Sequence, residues 1–378
     1  MKIAIVLAGI GAGGAERVVS LMAADRVARG DEVHVIGFAR AAEASYFSLH
    51  PAVRLHALDD GGREGTSIAR TLVRILRLRR ALKAIGPDLV VSFLTKINIV
   101  TLLATRGLGI PVVVSERNNP EAQRSHPLWG RLGRIALPWA DGLVMQTDRI
   151  RRTLPDRLRA KAVVIANPCE IRPEPVSAAA APRRIVAVGR LTEQKGFDLL
   201  IDAFRRIADR YPDWSLVIFG EGQDRARLQE QVAAAGLAER ITLPGLTTSP
   251  GAWVREGRVF VLSSRYEGFP NVLVEAMAAG LPVVSTACPY GPSDIVEDGR
   301  SGLLVPAEDA VALAAGLDRL LSDAPLRAAL AAAAPAAVGR FAKTTVFGQW
   351  DALFRRVLSG TPPEASGVMV GSDAGSGG

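Results

Sequence analysis

Residues 263–285 read SSRYEGFPNVLVEAMAAGLPVVS, and the rest of the chain is organised around them. The segment predicts a loop that enters a helix of about ten residues, followed by a buried strand over 282–285. The helix is expected to stop at Gly280, because a glycine after the last helical residue with a proline soon afterwards, here Pro282, is a common stop signal. The stretch therefore predicts one helix and one strand of an α/β domain, with a loop at the helix entrance.

Two glutamates frame that entrance, with seven residues between them. Glu267 lies in the loop, and Glu275 lies inside the helix on the face that it shares with Asn271. A helix start offers unpaired N–H groups and a positive dipole end, which suit a diphosphate, whereas carboxylates there suit hydroxyl groups. Both glutamates could instead be merely solvated, but residues 276–279 are apolar and a charge on a largely buried helix needs a partner. The pair therefore indicates a polyol ligand such as a nucleotide sugar.

The segment EGFPNVLVEAMAAGLPVV resembles the glutamate-pair motif of the family-four retaining glycosyltransferases, which have the GT-B fold. The resemblance implies an α/β protein with two Rossmann-like parallel-sheet domains that face each other across a cleft. It also implies that Glu267 holds the donor sugar at its 3-hydroxyl and that Glu275 binds the ribose. Residues 268–271 would offer backbone amides, and the residues expected at the donor are Gly268, Phe269, Asn271 and Leu273.

The length and charge of the chain restrict its class. A chain of 378 residues is too long for one compact core and suits two domains. The formal net charge of +8 favours anionic partners, namely phosphorylated substrates, a membrane surface or nucleic acid. Nucleic acid ranks last, because aromatic residues are sparse and no nucleic-acid motif occurs. Two distant cysteines, Cys169 and Cys288, and histidines without ligand spacing indicate a reducing compartment and no structural metal.

The first residues, MKIAIVLAGIGAGGA, imitate a signal peptide. The apolar run covers only residues 3–8 before glycines and charges follow, which is short for a signal peptide and suits a first buried strand. No stretch approaches the roughly 20 apolar residues of a transmembrane helix. We therefore expect a cytoplasmic protein that associates peripherally with the inner face of the membrane.

A glycine loop follows the first strand and satisfies the pattern GxGxxG with Gly9, Gly11 and Gly14. This pattern makes an NADP-dependent oxidoreductase the alternative function. A dinucleotide site also requires an acidic residue at the end of the second strand, but the chain has Arg40 there, which fails for NAD. The loop GGAER instead resembles the glycosyltransferase loop that faces the donor diphosphate, which implies close backbone approach at Gly13 and Gly14.

Residues 66–84 predict a basic amphipathic helix without any acidic residue. Its apolar face is expected to consist of Ile68, Leu72, Ile75, Leu78 and Leu82. Arg70, Arg74 and Arg77 would lie on the opposite face, where charges of one sign repel each other at helical spacing. Such a run is often only a solvated face, but anionic lipid headgroups or a lipid diphosphate would offset the repulsion. We therefore assign these arginines to the acceptor or the membrane.

Polar residues follow two more predicted strands of the first half, over 89–94 and 112–116. Ligands of parallel sheets bind at the carboxyl ends of strands, which is where the candidate acceptor residues Lys96, Glu116, Arg117 and Asn118 fall. SFLTKINI and SERNNP resemble a subgroup that acts on polyprenyl-diphosphate-linked sugars or other surface-polysaccharide precursors. Many members of the family have a histidine near the end of the second of these strands, and this chain has none there. Whether Glu116 or Asn118 substitutes for it stays open.

A second α/β unit begins with RRIVAVGRL at 183–191. Arg190 and Lys195 follow its first strand beside a helix start, which suits a diphosphate leaving group, although surface cations beside a turn would look similar. GRL followed by KG resembles the corresponding motif of the family, which implies catalytic roles for Arg190, Lys195 and Glu267. Glycine turns later in this half complete the predicted donor site, and its members are Gly189, Gly220, Gly222, Gly245 and Leu246, of which the last two resemble the nucleobase contact.

The predicted organisation is therefore an acceptor-binding domain at 1–168, a linker at 169–182 and a nucleotide-sugar domain at 183–340. A helix at 341–358 crosses back to the first domain, and residues 359–378 form a disordered tail. We expect a retaining transfer of a hexose or N-acetylhexosamine from a nucleotide sugar, UDP favoured, to a glycan or lipid-diphosphate-linked acceptor of the cell envelope. No D-x-D motif occurs, so we expect neither a metal nor another cofactor. A non-catalytic binding protein for sugar nucleotides or membrane surfaces is the third possibility.

Overall fold

A computed structural model describes residues 1–9, 13–38, 47–58, 68–117, 127–170, 181–247, 249 and 251–361. These residues form two compact units, of which the first holds 1–117, 127–165 and 349–361 and the second holds 166–348. Most of the predicted linker, 169–182, and of the predicted tail, 359–378, lies outside the described residues. No helix among those described is both long enough and apolar enough to cross a bilayer.

The first unit is built on a sheet of parallel strands in the order β3-β2-β1-β4-β5-β6-β7. The strands are β1 (Lys2–Leu7), β2 (Glu32–Gly37), β3 (Arg54–Ala57), β4 (Leu89–Phe93), β5 (Val112–Ser115), β6 (Gly142–Met145) and β7 (Ala162–Val164). The inner strands are almost wholly buried, and parallel strands covered on both faces are accordingly runs of Val, Ile and Leu. This is why the sequence revealed them.

Among the described residues, six helices lie wholly in this unit: α1 (Gly14–Ala28), α2 (Ile68–Ile85), α3 (Thr95–Thr105), α4 (Pro127–Ala136), α5 (Asp148–Arg152) and α6 (Asp156–Arg159). α1 begins at Gly14, inside the segment GGAER that the sequence pattern assigns to a loop. Gly13 is the residue that caps it, and Glu16 supplies a negative charge to the first turn. A carboxylate at this end of the helix interacts favourably with the helix dipole.

The second unit repeats this architecture with the strand order β10-β9-β8-β11-β12-β13. Its strands are β8 (Arg184–Val188), β9 (Ser215–Phe219), β10 (Ile241–Gly245), β11 (Val259–Leu262), β12 (Val283–Thr286) and β13 (Leu303–Val305). Its helices are α7 (Phe197–Ile207), α8 (Arg225–Ala234), α9 (Asn271–Ala278), α10 (Pro292–Ile295), α11 (Ala310–Ser322) and α12 (Ala324–Val338). Both sheets have the strand order of a Rossmann-type domain, so the predicted α/β class with two parallel sheets is confirmed.

Two hydrophobic clusters cover the two faces of the second sheet. Ile185 and Ala187 of β8 point into a cluster with α7, α8 and α11, whereas Val186 between them points into a cluster with α9 and α12. This alternation follows from the two-residue period of a strand. Helix α9, with the sequence NVLVEAMA, is mostly apolar because it packs in the second of these clusters.

The predicted apolar face of α2 is partly wrong. Leu78 and Leu82 are fully buried as expected, but Leu72 is 55% exposed. At about 100° per residue, Leu72 stands roughly 80° around the helix from Leu82, at the edge of the buried stripe. Arg74 stands about as far away on the other side, and its guanidinium lies 5.5 Å from the centre of the Phe38 ring. The arginine face therefore does not oppose the buried face, and of Arg74 and Arg77 only the second is exposed.

The last helix, α13 (Lys343–Leu358), contributes to both units, since the division falls after Gly348. Trp350 is 1% exposed in the first unit, and its ring lies 6.1 Å from that of Phe93 at the end of β4. Asp351 accepts a hydrogen bond of 3.0 Å from the buried Arg26 of α1. The final turns of α13 are thus part of the core of the first unit.

Candidate active site

The candidate site of the second unit lies where its strand order reverses. From β8 the chain proceeds outward to β9 and β10, and it then returns to β11, which pairs with β8. Ligands of open parallel sheets bind beyond the carboxyl ends of the strands at such a switch point. Lys195 follows β8 and Glu267 follows β11, so the fold brings their two loops to the same edge of the sheet.

Lys195 and Glu267 form a short ion pair. Nζ of Lys195 donates to Oε1 of Glu267 at 2.6 Å, and the two side chains are 14% and 6% exposed. Ser264 donates its hydroxyl to the same carboxylate oxygen, also at 2.6 Å. Within the described part of the chain no hydrogen bond ends on Oε2 of Glu267, so this oxygen is available to a ligand hydroxyl. Lysine has three N–H donors, and two remain for an anion after this bond is made.

Buried hydroxyl groups hold the two loops in place. Thr286, the last residue of β12, donates its hydroxyl to the Ser264 carbonyl at 2.7 Å. Ser263 donates its own hydroxyl to the Lys195 carbonyl at 2.8 Å. Gly196 has a φ of 61°, and a Cβ atom added to it would overlap the Ser263 carbonyl oxygen. The backbone at Gly196 therefore lies too close to the other loop for any side chain, so only glycine fits there.

Three predicted donor glycines lie in contacts between neighbouring strands. A Cβ atom on Gly189 would meet three carbons of Lys195 at 3.2 Å, so the lysine stem packs over this glycine. A Cβ atom on Gly220, which has a φ of 143°, would overlap the Gly189 carbonyl oxygen, and one on Gly222 would overlap that of Leu191. Close packing of backbones thus explains Gly220 and Gly222, whereas Gly189 contacts the side chain of Lys195. The contact of all three glycines with a donor stays a prediction.

Phe269 and Leu273 lie in the core rather than at a surface. Phe269 is 7% exposed and meets the Phe341 ring edge-on at 5.2 Å, and Leu273 is fully buried in α9. Gly268 is buried beside them. The side chains of Phe269 and Leu273 therefore support the loop and α9, so that any contact with a donor comes from the backbone.

The polar residues of α9 lie on one side of the helix. Asn271, its first residue, accepts a hydrogen bond of 2.6 Å from Nδ2 of Asn167. Glu275 follows one turn later and is half-buried. Next to the entrance of this helix, Gly291 has a φ of 91°, and a Cβ atom there would overlap Pro270. The loop around Gly291 therefore packs tightly on the helix entrance.

Arg190 and the turn at Gly245 lie at the ends of two strands, β8 and β10, that are separated by β9 in the sheet. Arg190 follows β8 and is exposed, and no carboxylate in the described residues pairs with it. Gly245 ends β10 with a φ of 94°, and Leu246 after it is 55% exposed. An exposed guanidinium without a partner suits an anionic ligand. The predicted contact of the turn with a nucleobase stays a prediction.

Cys288 lies close enough to the Lys195–Glu267 ion pair for both charges to affect the pKa of its thiol. Burial, with a further contribution from Glu267, raises the pKa of this thiol to about 12. The same side chain is fully buried. Cys288 is therefore a neutral thiol near neutral pH. It packs as an apolar side chain near the Glu267 carboxylate and does not act as a nucleophile.

The candidate acceptor residues of the first unit differ in exposure. Lys96 is exposed, with its Nζ atom 6.0 Å from the centre of the Trp129 ring. Glu116 accepts a hydrogen bond of 2.9 Å from Thr95. Arg117 is buried, with its guanidinium 5.1 Å from the ring of Phe93 and 5.8 Å from that of Trp350, and burial lowers its pKa.

These geometries separate an exposed cation from a structural one. Arg117 connects β5 to α13 through cation–π contacts, which accounts for an arginine at this place in the core. Lys96 remains the accessible positive charge after β4. Gly13 and Gly14 begin α1, after β1. Asn118 lies outside the described residues, and the side chain of Arg70 is half-buried.

Sequence reasoning missed the residues that hold Lys195 and Glu267 together. Ser263, Ser264 and Arg265 stand in the quoted segment, but they look like ordinary polar loop residues. Asp198 looks like a solvated residue in the first turn of a helix. The available signal was that these residues stand within a few positions of Glu267 or Lys195. That signal indicates contact between the two groups only once β8 is known to pair with β11. Among the residues described, no three His, Cys, Asp or Glu side chains gather as metal ligands.

Two family models match the chain, one for each unit. The glycosyl transferase 4-like domain matches residues 13–169, and the domain described as glycosyl transferases group 1 matches residues 182–323. Together they cover all of the strands after β1. The second match contains Arg190, Lys195, Glu267 and Glu275.

One similar protein is an enzyme of Campylobacter jejuni. It is named GalNAc-alpha-(1->4)-GalNAc-alpha-(1->3)-diNAcBac-PP-undecaprenol alpha-1,4-N-acetyl-D-galactosaminyltransferase. It is 28% identical over 334 residues, which are 86% of this chain and 90% of that protein. The likeness thus runs through both units.

Solved structures resemble the chain over nearly its whole length. Sucrose-phosphate synthase of Thermosynechococcus elongatus matches with a TM-score of 0.82 at 20% identity, over 95% of this chain and 100% of that one. Anabaena HepE, crystallised with UDP and glucose, matches with a TM-score of 0.78 at 21% identity, over 94% and 99%. At this level of identity the likeness concerns the fold, which is the GT-B fold expected from the sequence.

Proposed function

Because the chain belongs to the group 1 glycosyltransferases with a glycosyl transferase 4-like domain, we propose that it transfers a sugar with retention of the anomeric configuration. The donor is a nucleotide-diphosphate sugar, for which we favour a UDP-hexose or UDP-N-acetylhexosamine. The acceptor is a glycan or a lipid-diphosphate-linked glycan of cell-envelope polysaccharide biosynthesis. The observation that carries this proposal is the Lys195–Glu267 pair at the switch point of the second sheet.

Two comparisons support the substrates of this proposal. The Campylobacter jejuni relative has an undecaprenyl-diphosphate-linked acceptor in its name and transfers an N-acetylhexosamine. HepE was crystallised with UDP and with UDP-glucose. The basic character of the chain agrees with substrates that carry diphosphates.

In the proposed mechanism the protein stabilises the leaving group. Arg190 and the two remaining N–H groups of Lys195 neutralise the diphosphate as its bond to the sugar breaks, which is where preorganised cations lower the barrier most. Oε2 of Glu267 accepts a hydrogen bond from the sugar 3-hydroxyl, and Glu275 binds the ribose. The acceptor hydroxyl attacks on the face from which the diphosphate leaves, and its proton passes to the departing phosphate oxygen. We propose that no divalent metal takes part.

We propose that the exposed face of α2 meets an anionic membrane surface. Leu72 and Leu76 are 55% and 54% exposed, and Arg80 and Lys83 are exposed on the same face, with the exposed Arg77 about 100° around the helix from Leu76. Apolar side chains beside cations suit the boundary between headgroups and acyl chains. Vesicles with anionic lipid should therefore retain the wild type but release Leu72→Ser with Leu76→Ser. The control is Val311→Ser, which removes a side chain of similar exposure from α11.

The test of the proposed function is thermal unfolding with UDP, GDP, ADP and NADPH, each with EDTA present. A ligand that binds the native state raises the melting temperature by mass action. We expect stabilisation by UDP, and its loss in Arg190→Ala and Glu275→Ala. Stabilisation by NADPH and by no diphosphate would instead support the oxidoreductase alternative. With the nucleotide known, NMR of the product formed from the matching sugar nucleotide reports whether its configuration is retained.

A further inference from the structure

Lys195 and Glu267 belong to two different loops, yet the proposed transfer needs them side by side. One loop follows β8 and the other follows β11. A change of about 1 Å in the position of a catalytic group can lower the rate about 100-fold. Catalysis therefore depends on the relative position of the two loops. Contacts other than those of Lys195 and Glu267 themselves must fix that position.

Hydrogen bonds to backbone carbonyl groups join the two loops along a short seam. The N–H of Arg265 donates to the Gln194 carbonyl at 2.8 Å. The side-chain amide of Gln194 donates in return to the Tyr266 carbonyl at 3.0 Å. Residues 194 and 195 thus lie alongside 263–266, with the Ser263–Lys195 hydrogen bond at one end of the seam. These contacts and the close approach of Gly196 to Ser263 bring the loops together, but they do not reach residues 193 and 198 at the two ends of the turn.

Arg265 fixes that turn on both sides of Lys195. Nη1 donates to the Glu193 carbonyl at 2.8 Å and to Oδ1 of Asp198 at 2.8 Å, while Nη2 donates to Oδ2 of Asp198 at 2.7 Å. Residues 193 and 198 enclose Lys195 and Gly196 in the sequence. Arg265 stands two residues before Glu267. Its guanidinium therefore binds both the start and the end of the turn that carries Lys195.

The chemistry of this contact is specific to arginine. A bidentate pair with a carboxylate and a third bond to a carbonyl use the fixed fork of a guanidinium, which a lysine ammonium cannot reproduce. The side chains of Arg265 and Asp198 are 18% and 22% exposed, so the pair is partly shielded from water. Burial alone would raise the pKa of Asp198, but the Arg265 hydrogen bonds lower it.

We propose that Arg265 and Asp198 are positioning residues that set Lys195 against Glu267. We call this pair the Arg265–Asp198 clamp. The clamp touches no substrate, and it acts through the orientation of the Lys195 ammonium toward the second phosphate of the donor. This inference rests on the proposed function, because it requires a nucleoside diphosphate at Lys195.

The test compares the affinities of UDP and UMP, or of the corresponding pair for the base that the wild type prefers. Only the diphosphate reaches Lys195, so the ratio of the two dissociation constants reports the placement of the ammonium. We expect Asp198→Asn and Arg265→Lys to lower the preference for UDP about tenfold while UMP affinity changes less than about twofold. Asp198→Asn is nearly isosteric and keeps the measurement possible if Arg265→Lys does not fold.

Two controls separate positioning from general stability. Arg183→Lys alters another Arg–Asp pair of the second unit, with 2.7 Å between Arg183 Nη1 and Asp213 Oδ2, and should leave the preference unchanged. In a Lys195→Ala background, Arg265→Lys should cause no further loss of the preference for UDP. A wild-type ratio in both clamp variants would overturn the inference, and so would an equal loss of UMP and UDP affinity.

The binding measurements also distinguish a failure of this inference from a failure of the proposed function. A wild-type protein that binds no nucleoside diphosphate would overturn both together. Normal diphosphate binding by the wild type, with clamp variants that behave like it, would overturn the clamp alone.

Discussion

Nζ of Lys195 lies 2.6 Å from Oε1 of Glu267, and the two residues come from loops 72 positions apart in the chain. Both side chains are largely buried, so each is the main counter-charge of the other. Removing one partner of a buried pair leaves the other uncompensated, so removing the second partner as well should add little further damage. The pair should therefore behave as a unit in mutational experiments.

The first prediction is that Lys195→Ala and Glu267→Gln are strongly non-additive. Each single variant should lower kcat by about two to three orders of magnitude, and the double variant should be little worse than either. Release of the nucleoside diphosphate from the donor measures this. Glu230→Gln, which changes an exposed glutamate on α8, is the control. Fully multiplicative losses would show that the two groups act independently.

The second prediction concerns Gly196→Ala, compared with Gly236→Ala. Both glycines have positive φ, 61° and 69°, but a Cβ atom at Gly236 would meet nothing within 4 Å. A left-handed alanine costs about 1–2 kcal/mol, which is the expected loss of unfolding free energy for Gly236→Ala. Gly196→Ala also pushes against the Ser263 carbonyl and should lose about 2 kcal/mol more. Urea unfolding gives both values, and equal losses would contradict the close approach of the two loops.

The third prediction concerns the acid stability supplied by Asp198. Despite burial, its hydrogen bonds with Arg265 hold its pKa below the ordinary value of 3.8. The unfolded state therefore binds the proton more readily, so this stabilisation is fully present above about pH 5 and is lost as the pH falls through the lowered pKa. The difference in unfolding free energy between wild type and Asp198→Asn should shrink between pH 6 and pH 3. A difference that does not change with pH would contradict the assigned pairing.

The fourth prediction is that neither cysteine of the native protein reacts with a thiol reagent at pH 8. Cys169 and Cys288 are 4% and 0% exposed, and the raised pKa of Cys288, about 12, keeps that thiol neutral. The thiolate is the reactive form, so both access and ionisation oppose the reaction. Absorbance with Ellman's reagent should reveal two thiols only after unfolding in guanidinium chloride. A rapidly reacting thiol in the native protein would contradict this prediction, and if the labelled residue is Cys288 it would show that the packing beside Glu267 opens.

Much of the fold could be predicted from local patterns. The strands β1, β4 and β8 are short apolar runs bounded by glycine or polar residues, and such runs are typical of parallel strands with both faces covered. The glycine and proline after α9 marked its end. The buried face of α2 was predicted less well, because the apolar pattern placed Leu72 with Leu82 although the packed stripe excludes it. Which of several adjacent apolar positions is buried depends on the neighbouring elements.

The sequence by itself determined which residue types the site contains: a lysine after one strand, two glutamates around a helix start, and glycines at the turns. Tertiary structure alone decided that Lys195 and Ser264 donate to the same oxygen of Glu267, and that Arg265 encloses the Lys195 turn through Asp198. It also decided that Arg117 lies against two aromatic rings. The physical reason is that residue type and spacing along one strand are local quantities. Contacts between loops depend on which strands pair, and β8 and β11 pair across 70 intervening residues.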